Sequence, residues 1–158
     1  MPSPLSISKI LGAAIEDVMQ KIFANPEELP CWPDFFSNIV TVKGSGVETI
    51  YLAGQVGVDN NKKLVGEGDL AAQTAQAFEN LATALVTVGA TTADVVKTTI
   101  FVVNYKPDDA AVIGEVIGKY FPAQKPACSL VGVQSLAVDM FLIEVEAIAV
   151  REIAECLS

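Results

Sequence analysis

Apolar residues at Ile7, Ile10, Leu11, Ala14, Ile15, Val18, Met19 and Ile22 recur at the i, i+3, i+4, i+7 spacing of one helix face. Asn25-Pro26 ends this amphipathic helix, because proline lacks an amide hydrogen and disfavours helix at the preceding residue. EELPCWP, at 27–33, then reads as an irregular linker. A stripe of this width packs either on the chain's own core or against an oligomer or partner. Residues 38–43 and 47–53 are β-rich and flank Gly44-Ser45-Gly46, so they predict a hairpin whose glycines take the positive-φ positions. A phosphate-cradling role for this lone GxG is weak, because strand rather than helix follows it. Gly54-Gln55 interrupts the next strand pattern, which predicts a bulge or a close backbone approach. The strand then continues over 55–59 into a turn at 60–63.

Asp69 caps a long predicted helix with an apolar face of Leu70, Ala77, Phe78, Leu81, Leu85 and Val88, and Gly89 ends it. TTIFVV at 98–103, preceded by Val95 and Val96, has the pattern of a buried strand. Asp108 opens a second helix to about Phe121, with Ala111, Val112, Val116, Ile117 and Tyr120 as its apolar positions. Strands over 129–133 and 140–150 follow a loop bracketed by Pro122 and Pro126. The order βββαβαββ, with a helix in front, predicts an α+β fold with a mixed sheet.

Composition narrows the function. At 158 residues, 51% apolar and with a mean hydropathy of +0.44, the chain is sized for one domain with a substantial core. Nineteen acidic against ten basic residues give a net charge of −9, which repels phosphate backbones. Lys62-Lys63 is the only adjacent basic pair, so no nucleic-acid footprint is expected. The chain has no histidine and one arginine, Arg151, which excludes histidine-ligated metals and histidine-based triads within one chain. Acid–base chemistry must come from carboxylates, Lys, Tyr, Cys or water. Cys31, Cys128 and Cys156 lack a CxxC spacing and read as reduced intracellular thiols. The longest uncharged runs are too short for a bilayer, and Glu16 and Asp17 interrupt the first apolar stretch as no signal or transit peptide would. The expectation is an acidic cytoplasmic domain without membrane attachment.

Three groups of residues could carry chemistry. Alternation over 140–150 puts Leu142, Glu144, Glu146, Ile148 and Val150 on one face, with the two carboxylates about 7 Å apart. Apolar neighbours would raise such a carboxyl's pKa and suit it to general acid or water-orienting work; the alternative is a solvated or partner-covered face. Cys128 sits where a loop enters a strand. It reads as an inert cysteine unless a cation such as Lys125 favours its thiolate. Trp32, Phe35 and Phe36 form either a core staple or the apolar wall of a small-molecule pocket.

Five segments taken together resemble the Rid family, also called the YjgF or L-PSP family. They are IYLAGQVGVD at 50–59, AAQTAQAFENLATALVTVGAT at 71–91, DVVKTTIFVVN at 94–104, KYFPAQKPACSLVGV at 119–133 and FLIEVEAIAV at 141–150. The likeness runs from Phe36 to Val150, about three-quarters of the chain. It divides the sequence into an N-terminal helical extension and linker (1–34), a family domain (35–153) and a tail (154–158).

The resemblance implies a chorismate-mutase-like α+β subunit with two core helices, and a homotrimer with small-molecule clefts between subunits. The RidA branch hydrolyses reactive 2-imino or enamine acids to ammonia and a 2-keto acid, with no metal or organic cofactor. In that branch an arginine in the PAR-S segment grips the substrate carboxylate, and its place here is Cys128. A bidentate guanidinium–carboxylate clamp is hard to replace with a neutral thiol, because the substrate charge is left unpaired in a cleft. The branch's tyrosine falls at Phe36, its S-G-Q reads Ala53-Gly54-Gln55, and its helix asparagine and tyrosine fall at Gly114 and Ile117. Glu144 matches the water-positioning glutamate and Phe101 a pocket aromatic. The expected cleft is therefore lined by Phe36, Gly54, Phe101, Cys128 and Glu144, with Glu144 orienting water. Its expected use is deamination of imine or enamine compounds of altered specificity. The alternative is a non-catalytic ligand-binding or interaction trimer, and ribonuclease activity ranks last.

Overall fold

The computed structural model describes residues 18–153. Its elements are β1 (Gln20–Ala24), β2 (Ile39–Gly44), β3 (Val47–Val56), α1 (Leu70–Thr87), β4 (Val95–Val103), α2 (Asp109–Tyr120), β5 (Ala127–Val133) and β6 (Ile143–Glu152), with a 3-10 turn at Thr92–Asp94. They form a mixed α+β fold with one six-stranded sheet in the order β1-β2-β3-β6-β4-β5. Every neighbouring pair is antiparallel except β4 and β5. No helix among the described residues is long and apolar enough to cross a membrane.

The letters match the expected βββαβαββ, but the first strand is a different segment. Most of the expected leading helix, over 7–17, lies outside the described residues. Its last turn is corrected: Ile22 belongs to β1, which pairs with β2 from Gln20↔Lys43 to Ala24↔Ile39. A strand edge at β2 offered QKIFA a full ladder of backbone bonds, which outweighs a periodicity shared by only a few residues. The sheet thus begins at Gln20, ahead of the expected boundary at residue 35. The strand expected over 55–59 merges into β3 and ends at Val56, leaving an isolated bridge between Val58 and Leu64.

The hairpin closes with positive φ at Ser45 (50°) and Gly46 (76°), the pair of left-handed residues of a two-residue turn that follows strand twist. Gly44 was expected to share this role; it instead ends β2, paired with Val47. Asp69 caps α1 by accepting the Ala72 amide hydrogen at 3.0 Å. Asp69→Ala should cost about 1 kcal/mol, read as a lower midpoint in urea unfolding. Asp108 precedes α2 without a side-chain cap; the neighbouring Asp109 carboxylate accepts the Lys106 amide at 2.7 Å.

Alternation sorts the sheet into two faces. Ile39, Ile50, Leu52, Ile100, Val102, Ile143, Val145, Ala147 and Ala149 point into the core with Ala77, Phe78, Leu81, Ala84 and Leu85 of α1 and Ile113 and Val116 of α2. On α2 it is Ile113, not the exposed Ala111, that reaches this core. Val40, Tyr51, Thr99, Phe101, Glu144, Glu146 and Ile148 have the opposite parity and form the open face. Three cross-strand neighbours brace the far end of the sheet. Glu48 is buried between Lys43 of β2, at 3.2 Å, and Arg151 of β6, at 2.5 Å. Arg151 also donates to the carbonyls of Val88, at 2.9 Å, and Gly89, closing the C-terminus of α1.

Candidate functional site

The β3 pattern breaks where β3 meets β6. The register runs Tyr51↔Ile148 and Leu52↔Ala147, then resumes only at Gln55↔Val145. Ala53 and Gly54 are thus carried out of the β6 ladder. Ala53 donates its amide hydrogen to Asn38 at 2.9 Å, and the buried Gln55 side chain donates to the Ala53 carbonyl at 2.9 Å, which pins the bulge.

Glu144 fills the room the bulge creates. A Cβ added at Gly54 would overlap Oε1, Cδ and Cγ of Glu144, so the carboxyl lies directly on the Gly54 backbone. Only glycine permits that approach. Phe101 stands opposite Glu144 in the β4–β6 register. Burial is the main reason the Glu144 carboxyl's pKa lies above the ordinary carboxylate range, and the nearby charge of Glu146 adds to it. Neither glutamate takes part in an ion pair or hydrogen bond among the described residues.

The backbone just before β6 is fixed from α1. Gln73 is fully buried and accepts the Leu142 amide at 2.9 Å while donating to the carbonyls of Met140 and Gly66, both at 3.0 Å. The helix presses close enough here that a Cβ at Gly57 would meet Gln73 Cβ at 2.7 Å.

The five expected site residues divide. Gly54, Phe101 and Glu144 converge. Phe36 stands at the same end of the sheet, since the Asn38–Ala53 bond carries its segment alongside Gly54; its ring centre lies 6.1 Å from that of Trp32. Trp32 packs on a small cluster of Val56, Val58 and Phe141, whereas Phe35 is exposed. Cys128 is apart. It pairs with Thr98, whose side chain faces the core, three positions along from the Phe101–Glu144 level. With strands about 4.8 Å apart and 3.3 Å of rise per residue, Cys128 lies roughly 14 Å from Glu144 and on the other face. The thiol is exposed, and Lys125 turns away to donate to the Phe121 carbonyl at 2.6 Å.

Beside the Gly54–Glu144 contact, the open face sinks into a depression of about 320 Å³. Ser37, Ala53, Thr99 and Glu146 line it, each one or two positions from Phe36, Gly54, Phe101 and Glu144. Val40, Tyr51 and Ile148 supply its apolar walls, and Lys97 closes the far side. The Lys97 ammonium donates to the Thr98 carbonyl at 2.6 Å, Ser129 Oγ at 3.1 Å and Thr99 Oγ1 at 3.4 Å, using its three protons within the protein. Sequence reasoning missed Ser37, Tyr51 and Lys97, although the alternation in KTTIF places Lys97, Thr99 and Phe101 on one face.

Comparison with known proteins fits this geometry. Residues 36–151 match the family described as endoribonuclease L-PSP. A RutC family protein of Pyrococcus abyssi is 39% identical over 103 residues, covering 65% of this chain and 79% of its own. A 2-iminobutanoate/2-iminopropanoate deaminase of Dermatophagoides farinae is 35% identical over 104 residues, 66% of this chain and 79% of that protein. Among solved structures, a protein of unknown function of the Rid family from Yersinia pestis superposes with a TM-score of 0.63 at 40% identity, covering 82% of this chain and 97% of that one. The chain belongs to the L-PSP family, the YjgF or Rid family, as the five segments of its sequence indicated.

Proposed function

We propose that this protein hydrolyses reactive imines or enamines and that its specificity has moved away from simple 2-imino acids. The observation that carries the proposal is the Glu144 carboxyl seated on the Gly54 backbone, desolvated and without a cation. A carboxylate there takes a proton from water as the water attacks the electrophilic carbon, and returns it to the departing nitrogen. The Gly54 amide orients the ligand, and Phe36 and Phe101 limit the water around it. The named activity of the Dermatophagoides farinae relative supports this reaction class. Phosphodiester cleavage ranks last, because a net charge of −9 and the Glu144–Glu146 pair oppose a polyanion.

We place the working cleft between subunits of a homotrimer in the cytoplasm, with no cofactor. Only a second copy can bring Cys128 near Glu144, given their separation within one chain. Light scattering should therefore return a mass three times 16.7 kDa; a monomer would exclude a shared cleft. A trimer that binds ligand without chemistry is the competing reading, favoured by the commitment of Arg151, Lys97 and Lys125 to protein oxygens.

The test is ammonia release from imines generated in situ, followed against pH. Glu144 must be ionised to accept a proton, so activity rises with pH through its pKa. Because that pKa is raised, the acidic limb should lie above the ordinary glutamate range of about 4.3. Glu146→Gln removes the smaller cause and leaves burial, so the limb should move down only part of the way. An acidic limb at or below the ordinary range would remove Glu144 from this role.

A further inference from the structure

We infer that the substrates are imines without an α-carboxylate, of the kind formed when a primary amine rather than an amino acid is oxidised, and that an apolar tail of the substrate fills the open-face depression. This rests on the hydrolase reading above and specifies its substrate class.

The charges around the site favour that class. Glu144 and Glu146 share the open face about 7 Å apart, and neither has a cationic partner among the described residues. The cations that could hold a substrate carboxylate have other work. Arg151 binds Glu48 and the end of α1, Lys125 binds the Phe121 carbonyl, and Lys97 donates to three oxygens. A 2-imino acid would bring its carboxylate against two like charges, while Lys97, the cation that lines the depression, is already bonded to three protein oxygens. A protonated imine carrying no carboxylate meets the opposite situation, since its only charge is positive.

The cavity supplies the rest of the specificity. It begins at Ala53 and Glu146, beside the reacting position, and continues between Val40, Tyr51 and Ile148. A volume of about 320 Å³ suits an aromatic ring or a chain of several carbons rather than the methyl or ethyl group of the smallest imines.

The reaction is R–CH=NH2+ plus H2O giving R–CHO plus NH4+. Water forms the new C–O bond as its proton passes to Glu144. The carbinolamine nitrogen takes that proton back from Glu144 and leaves as ammonia while the hydroxyl proton passes to the same carboxylate and the C=O bond forms. Ammonia then takes up this second proton as NH4+, leaving Glu144 ionised again. No electron is transferred, so no co-reactant beyond water is needed.

The test uses a matched pair. An amine oxidase acting on 2-phenylethylamine and an amino-acid oxidase acting on phenylalanine generate imines that differ only in the carboxylate. Full-length protein competes with semicarbazide for each imine, and the suppression of semicarbazone is the readout. We expect the amine-derived imine to be hydrolysed at least ten-fold more efficiently, and Glu146→Lys to narrow or reverse that preference. Faster hydrolysis of the phenylalanine-derived imine would overturn this inference and leave the hydrolase reading standing. No acceleration of either imine, with folding confirmed by circular dichroism, would overturn both.

Discussion

Glu144→Gln should lower the rate of imine hydrolysis by about 10²–10⁴-fold, the range spanned by general acid–base groups, and leave the fold intact. Glutamine keeps the shape that rests on Gly54 but cannot accept a proton from water. The stability half of this expectation follows from linkage. A carboxyl whose folded pKa is raised destabilises the native state once it ionises, so its contribution worsens as pH rises through that pKa. An uncharged amide escapes the penalty, and at neutral pH the variant should melt at the same temperature as the parent or slightly higher. Steady-state rates and a thermal scan on one preparation check both halves. Full activity in the variant would leave the carboxyl without a chemical role, and a large fall in melting temperature would mean it braces the bulge instead.

Arg151→Ala carries the largest stability effect. Glu48 is buried, with 2% of its side chain exposed, and the substitution removes one of its two cations together with the donors to Val88 and Gly89. Breaking a buried pair from one side leaves an undercompensated charge and costs about 3 kcal/mol or more. For a chain of this size that is a fall of roughly 10 °C in Tm. The partner variant Glu48→Gln should be milder, because it removes the charge whose burial is expensive. In the double variant the two losses should fall short of additive. Strict additivity in a thermal cycle would mean the cross-strand contact contributes no coupling.

Much of this architecture was legible because its signals were local. The Asp69 cap, the Gly89 stop, the hairpin around Ser45-Gly46 and the bulge at Gly54-Gln55 each depend on residues a few positions apart. The leading segment was not legible in the same way. Val18, Met19 and Ile22 fit a helical stripe, yet QKIFA pairs as a strand because β2 presents a free edge, a partner about twenty residues away. The same limit applies at the site. Alternation put Glu144 and Glu146 on one face, but contact between Glu144 and Gly54 depends on a register shift between distant strands. Likewise, Arg151 stood out as the only arginine, while its commitment to Glu48 across the sheet became visible only in three dimensions.

The buried amide of Gln73 has a consequence for how the site breathes. Leu142 lies just outside β6, where an amide ordinarily exchanges with solvent as fast as its loop opens. Here its hydrogen is held by a helix side chain and its carbonyl accepts the Val103 amide at 2.9 Å. The Leu142 hydrogen should therefore exchange with deuterium at the slow rate of the central sheet rather than the fast rate of a connection. The backbone that carries Glu144 would then shift only when α1 leaves the sheet, so on the timescale of turnover the acid is a fixed post around which ligand and water move.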